Sequence, residues 1–175
     1  MKIIKICIPV LLLIFAFQQI GAETVTTAET VSKTKDGIKW YALDEALPMA
    51  KEQKKFIFID FYTTWCHYCK KMDKEVFNKA EIINLLNNDF IAVKVNGDSK
   101  KVLEIDGYKI TENELAKKEF KVSGYPTFWW LTPSGKKLHT QSGFAPADFW
   151  ISALTQIKDL ELDSLGNAIQ PTEKK

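Results

Sequence analysis

The chain has 175 residues, with 24 basic and 22 acidic side chains and a formal net charge of +2, and it contains no arginine. Without arginine it lacks the side chain best suited to bidentate contacts with phosphates and guanines, so the composition argues against nucleic acid as a partner. The length suffices to enclose one good hydrophobic core but hardly two. We therefore expect a single folded domain.

The N-terminus has the composition of an export signal. Two lysines precede the apolar stretch from Ile6 to Phe17, and small residues follow up to Ala22. This pattern predicts a signal peptide over residues 1–22, cleaved near Ala22, and therefore a periplasmic or secreted protein. The apolar stretch is shorter than the roughly 20 residues that a membrane-spanning helix needs, and an uncleaved anchor over residues 3–20 is the alternative.

Two polar segments flank the predicted domain of residues 38–160. Residues 23–37 have almost no large apolar side chain, which indicates a flexible leader, and residues 161–175 read as a solvated C-terminal tail. Within the domain, the first elements are a short edge strand at residues 38–43 and a helix at residues 44–54. Pro48 fits only the first turn of a helix, so this helix should begin late or bend.

Two cysteines follow a run of aromatic and β-branched residues at 56–62 that predicts a buried strand. They lie in the segment Trp65-Cys66-His67-Tyr68-Cys69-Lys70, at the predicted start of a helix. They are the only cysteines left after export, so they can bridge only each other. A bridge between residues three apart constrains little of the unfolded chain, so its value should be chemical, as in a dithiol redox centre.

The rest of the domain alternates helices and strands. Apolar residues from Met72 to Leu86 keep a helical spacing and predict one helix that ends at Asn87-Asn88-Asp89, before a strand at residues 90–95. A parallel crossover of this kind would place Cys66 at the carboxyl end of a strand, where open α/β sheets carry their sites. The further predicted elements are a hairpin flap around Asp106-Gly107 within an insertion at residues 97–111, a short helix from the capping box Thr111–Glu114, paired strands at 127–132 and 137–141, and a closing helix at 144–160.

Taken together, these motifs resemble the thioredoxin superfamily, in particular the exported thioredoxin-like thiol-disulfide interchange proteins of bacteria. The resemblance covers residues 38–160 and is carried by Trp-Cys-x-x-Cys-Lys after the strand and by the distant Gly124-Tyr125-Pro126-Thr127. It implies an α/β fold with a central mixed sheet flanked by helices. The flap would be an insertion before a cis-proline.

The resemblance also implies roles for individual residues. Cys66 would be the exposed nucleophile at the helix N-terminus, and Cys69 the shielded thiol that resolves the mixed disulfide. Asp60 matches the buried carboxylate that moves a proton to or from the second cysteine, and Lys94 matches the lysine that faces it. Pro126 matches the cis-proline opposite the disulfide.

Four residues are candidates for substrate binding: Trp65, His67, Tyr68 and Tyr125, with Phe144 as a further part of an apolar rim. His67 and Tyr68 occupy the pair between the cysteines that influences the redox potential. They differ from the Gly-Pro of the commonest reducing form. The pair does not decide the direction of electron flow.

The expected function is therefore a monomeric thiol-disulfide oxidoreductase that exchanges a Cys66–Cys69 disulfide with proteins carrying thiols or disulfides. We prefer the reducing direction, with a membrane thiol carrier as electron donor and no bound cofactor. The alternatives are a dithiol oxidant of exported proteins and a non-catalytic chaperone or interaction module on the same scaffold. A metal site is not expected, because only His67 and His139 would supplement the two cysteines as ligands.

Overall fold

The computed structural model describes residues 37–161, which form a mixed four-stranded sheet with helices on both faces. The sheet order is β2-β1-β5-β6, with β1 and β2 parallel and the other neighbours antiparallel. The strands are β1 Phe56–Tyr62, β2 Phe90–Asn96, β3 Val102–Ile105, β4 Tyr108–Thr111, β5 Thr127–Leu131 and β6 Lys137–Ser142. The helices are α1 Leu43–Gln53, α2 His67–Glu75, α3 Ala80–Asp89, α4 Glu112–Glu114, a π-helical turn Leu115–Glu119, and α5 Ala147–Lys158.

Each face of the sheet has its own hydrophobic core because successive side chains of β1 point in opposite directions. Ile57, Ile59 and Phe61 pack with α1 and with the insertion that contains β3 and β4. Phe56 and Phe58 pack on the other face, against α2, α3 and α5. The strand is therefore buried on both sides, which explains its nearly continuous apolar sequence.

The predicted fold class is confirmed, including the insertion before the proline. β3 and β4 form a two-residue hairpin in which both turn residues, Asp106 and Gly107, have positive φ, as an Asp-Gly turn requires. The predicted capping box is also present: Thr111 accepts from the backbone of Glu114, and Glu114 accepts from the backbone of Thr111. The predicted pairing of β5 with β6 is found as well.

Two predictions about the first half of the domain are wrong. Residues 38–43 form no strand; Tyr41 alone bridges to Val93. The chain leaves the sheet there because α1 begins at Leu43, where the backbone N–H of Ala42 donates to the Glu45 carboxylate at 3.1 Å. The helix predicted next is found and does not begin late: it starts at Leu43, and Pro48 lies inside it.

The single helix predicted after the cysteines is two helices. α2 ends at Glu75, and a turn through Val76–Lys79 leads into α3. This turn buries both Val76 and Phe77, and the ring of Phe77 packs edge-on against Trp40 and Phe58. The apolar spacing stays helical across the break, so periodicity alone cannot reveal it.

The predicted signal peptide (1–22), nearly all of the leader (23–37) and of the tail (161–175) lie outside the described residues. Within residues 37–161, no helix is both long and apolar enough to cross a bilayer.

Candidate active site

The two cysteines lie where β1 leads into α2. Cys66 is the N-cap residue of α2, Cys69 lies in its first turn, and a disulfide joins their sulfurs, with the Cα atoms 5.3 Å apart. The backbone N–H of Cys69 donates to Sγ of Cys66 at 3.0 Å. In the reduced protein, this donor and the positive end of the helix dipole would favour the thiolate form of Cys66, which is the attacking form of a thiol.

The exposure expected for Cys66 is not found in the disulfide form. Cys66 and Cys69, joined by the disulfide, are each only 4% exposed. The neighbouring Trp65 and Tyr68 are instead 66% and 56% exposed. The side chains of two sequence neighbours of the cysteines are thus exposed aromatics, while the cysteines themselves are buried.

The proline loop lies next to the cysteine loop. The Tyr125–Pro126 peptide bond is cis. The ring of Tyr125 meets the ring of Trp65 edge-on, with centroids 6.1 Å apart and an interplanar angle of 86°. Two residues predicted from distant parts of the sequence, Trp65 and Tyr125, are thus in contact beside the disulfide.

The other predicted rim residues differ in exposure. His67 and Tyr68 are both exposed on the first turn of α2, with their rings edge-on at 5.8 Å. Phe144 is half-buried against the core, and the ammonium group of Lys71 lies 4.3 Å from its ring centroid. The exposed aromatic rim in the described part of the chain therefore centres on Trp65 and Tyr68.

Asp60 is buried in the middle of β1. It has the same parity as Phe58, so its side chain points to the face of the sheet covered by α2. Only 2% of Asp60 is exposed, and its Oδ1 atom has no hydrogen-bond partner among the described residues. Burial raises the pKa of Asp60 to about 7, against the opposing attraction of Lys94. At neutral pH this carboxyl group can both accept and release a proton.

Lys94 links Asp60 to α2. It lies opposite Asp60 in the β1–β2 register, and its Nζ is 3.6 Å from Oδ2 of Asp60 and 2.6 Å from Oδ1 of Asp73. The same ammonium group lies about 5 Å from the ring centroids of Trp40 and Tyr62. Burial opposes its charge, but the carboxylates of Asp60 and Asp73 outweigh burial and raise the pKa of Lys94. Lys94 therefore stays protonated while Asp60 titrates.

Four residues around the site were not predicted from the sequence: Asp73, Gly97, Asp98 and Asn113. Asp73 lies four residues after Cys69, on the same face of a helix, and this spacing could have indicated it. No comparable signal identifies Asp98, which accepts a hydrogen bond from the indole of Trp65, or Gly97, against which Tyr125 packs. Both contacts join segments that lie far apart in sequence.

Within residues 37–161, no three His, Cys, Asp or Glu side chains are grouped so that they could hold a metal ion. His139, the second histidine weighed as a ligand, is exposed on β6 with its ring 5.6 Å from that of Trp130.

A family model described as a thioredoxin-like domain matches residues 43–158. Spermatogenesis-associated protein 20 of Rattus norvegicus is 31% identical over 112 residues, which are 63% of this chain and 14% of that protein. The thiol:disulfide interchange protein DsbD of a Pseudomonas strain is 27% identical over 124 residues, 67% of this chain and 19% of that protein. The solution structure of a thioredoxin from Thermus thermophilus, 26% identical, matches with a TM-score of 0.57 over 70% of this chain and 88% of that one. The chain thus spans less than a fifth of the length of these two curated relatives.

Proposed function

Because the chain belongs to the thioredoxin-like family of thiol-disulfide oxidoreductases, we propose that it reduces disulfides of exported proteins through Cys66 and Cys69. The observation that carries the proposal is the Cys66–Cys69 disulfide at the N-terminus of α2, with a buried carboxyl group of pKa about 7 on the strand that precedes it. A structural bridge over so short a loop would stabilise the fold little and would have no use for a titrating acid. Reversible thiol-disulfide exchange, by contrast, requires a disulfide that opens and closes and a nearby group that accepts and returns a proton.

The first step is attack by the Cys66 thiolate on one sulfur of a partner's disulfide. A bond forms between Cys66 and that sulfur, the partner's disulfide bond breaks, and the second partner sulfur leaves as a thiolate that takes a proton from solvent. The hydrogen bond from the Cys69 backbone N–H stabilises the attacking thiolate. The exposed ring of Trp65 would contact the partner beside the sulfurs.

The second step releases the reduced partner. The thiol of Cys69 gives up its proton and attacks Sγ of Cys66, which forms the Cys66–Cys69 disulfide and frees the remaining partner thiol. We assign the acceptance of that proton to Asp60, whose pKa of about 7 allows it to be ionised beforehand and protonated afterwards. The partner sulfur freed in this step also takes its proton from solvent, and Asp60 later returns its proton to solvent, so in total two electrons pass from the dithiol to the partner's disulfide while the protons balance through solvent.

The setting of the reaction forms part of the proposal. The N-terminal export pattern supports a periplasmic or secreted location, with partners that are proteins carrying thiols or disulfides. A dithiol of a membrane thiol carrier would regenerate the reduced pair by the same two steps in reverse. The electrons reside on the two sulfurs, with no bound organic cofactor, and the working unit is a monomer.

The equilibrium reduction potential of the Cys66–Cys69 pair tests the direction. Equilibration with glutathione buffers, followed by thiol alkylation and mass spectrometry, gives the reduced fraction at each ratio. For a reductase we expect a potential near that of thioredoxin, about −270 mV. A potential near that of the strong periplasmic oxidants, about −120 mV, would contradict the reducing direction and favour the dithiol oxidant.

A further inference from the structure

The insertion between β2 and β5 is fastened at its base, directly beside the aromatic side chains of the site. The backbone N–H of Gly97 donates to the carbonyl of Tyr62 at 2.8 Å, and the carbonyl of Gly97 accepts a hydrogen bond from the side-chain amide of Asn113. The backbone N–H of Asn113 donates to the carbonyl of Ser99 at 3.0 Å. These bonds hold the end of β2 against the start of α4.

Tyr125 lies on the backbone of Gly97. A Cβ atom placed on Gly97 would lie 2.7 Å from Cε1 of the Tyr125 ring and closer still to its Cζ and phenol oxygen. Gly97 does not have the positive φ that demands glycine at other positions, so glycine is needed here for space. Any larger residue would force the phenol of Tyr125 away from this position.

The next residue holds the second aromatic side chain. The carboxylate of Asp98 accepts a hydrogen bond from the indole N–H of Trp65, although Trp65 is otherwise largely exposed. Burial, together with the charge on Asp98, raises the pKa of Tyr125, so its phenol stays neutral. The loop that begins at Gly97 thus contacts both aromatic residues, and these two contact each other.

We propose that Gly97 and Asn113 form a seat for Tyr125, and that this seat positions the segment before Pro126 for binding an extended, disulfide-containing stretch of a protein substrate. The proposal rests on the proposed function and names the part of the chain that sets substrate affinity. Gly97 and Asn113 touch neither the sulfurs nor the substrate, so they are positioning residues that act through Tyr125. The insertion then acts on the substrate-binding surface indirectly, through the position of Tyr125.

The seat should affect binding and leave the redox chemistry unchanged. The groups that control the sulfurs are the backbone N–H of Cys69, Asp60 and Lys94, and none of them is in the seat. A displaced Tyr125 would move the backbone with which an extended substrate pairs. A protein substrate should therefore bind more weakly, while a small disulfide that does not extend along the groove should react as before.

The test compares Gly97→Ala with Gly37→Ala, a matched control in which the added methyl group meets nothing within 4 Å. The probes are insulin, as a protein substrate, and 5,5′-dithiobis(2-nitrobenzoate), as a small disulfide. For Gly97→Ala we expect KM for insulin to rise about tenfold with kcat, the small-disulfide rate and the reduction potential unchanged. Gly37→Ala should behave as the wild type with both probes.

A double-mutant cycle separates positioning from a general structural effect. In a Tyr125→Ala background, Gly97→Ala should change KM for insulin by no more than about twofold, because the side chain through which it acts is gone. An equal loss with the small disulfide, an unchanged KM in Gly97→Ala, or an undiminished effect in the Tyr125→Ala background would overturn the proposal.

If Gly97→Ala does not fold, Asn113→Ala takes its place in the wild-type and Tyr125→Ala backgrounds. It must then raise KM for insulin in the wild-type background only and leave the small-disulfide rate unchanged. Any other result would contradict the proposed seat. A wild-type protein that reduces neither probe would instead contradict the proposed function itself, and with it this inference.

Discussion

Replacement of Cys66 by serine is expected to abolish reduction of insulin, with a loss of at least about a thousandfold. The serine hydroxyl is not ionised at neutral pH and cannot form a disulfide, so the first step has no nucleophile. The fold should be retained, since the Cys66–Cys69 bridge closes a loop of only a few residues and stabilises little. The loss is measured as the rate of insulin reduction, with dithiothreitol as the electron donor and the turbidity of the precipitating insulin chains as the signal.

Cys69→Ser is the matched control for this substitution. It keeps the thiol of Cys66 but removes the resolving thiol, so it should accumulate a mixed disulfide with insulin that is visible on a non-reducing gel. The trapped species should be absent in Cys66→Ser. Unchanged partner binding and biological phenotype in Cys66→Ser would identify the chain as a non-catalytic interaction module on this scaffold.

Replacement of Asp60 by asparagine is expected to remove a pH-dependent loss of stability. In the unfolded chain this carboxyl group has its ordinary pKa of about 3.8, whereas burial raises the pKa in the folded protein to about 7. Between these values the folded state binds more protons than the unfolded state, so the free energy of unfolding falls as the pH rises through this window. A difference of about three pKa units corresponds to a fall on the order of 4 kcal/mol.

Urea denaturation at several pH values between 4 and 8 measures this effect. The stability of Asp60→Asn relative to the wild type should increase with pH up to about 7 and then level off. Glu52→Gln, at an exposed position on α1, serves as the control and should leave the pH dependence unchanged. In turnover assays, the rate of insulin reduction by the wild type should change with pH with a midpoint near pH 7, and the rate of Asp60→Asn should lack this change. Parallel stability curves for the wild type and Asp60→Asn would contradict the burial of a titrating acid.

Much of the fold follows from short-range signals in the sequence. The Asp106-Gly107 turn, the Thr111–Glu114 capping box and the run of aromatic and β-branched residues in β1 each predict their structure, because each depends on neighbours a few residues away. The break between α2 and α3 does not follow. It arises because Phe77 turns into the core beneath Trp40 and Phe58, and the apolar spacing is the same with or without that turn.

The residues of the site were likewise only partly predictable from the sequence. The resemblance identified Cys66, Cys69, Asp60, Lys94 and Pro126, and the structure brings Lys94 to Asp60 across the β1–β2 register. It did not identify Asp73, Gly97, Asp98 or Asn113, because their contacts join elements whose relative placement only the folded sheet determines. The exposure expected for Cys66 is not found in the disulfide form, in which Cys66 is only 4% exposed. The catalytic roles of the residues remain predictions until the variants are measured.

The central claim is that the two sulfurs exchange electrons with the disulfide of another protein. The most direct measurement mixes the fully reduced protein with an equal amount of insulin, alkylates the thiols and analyses the tryptic peptide of residues 56–70, which contains both cysteines. The account predicts that this peptide loses both alkyl groups as insulin gains two, one disulfide formed for each disulfide broken. A peptide that stays doubly alkylated with insulin, and with oxidised glutathione as well, would contradict it.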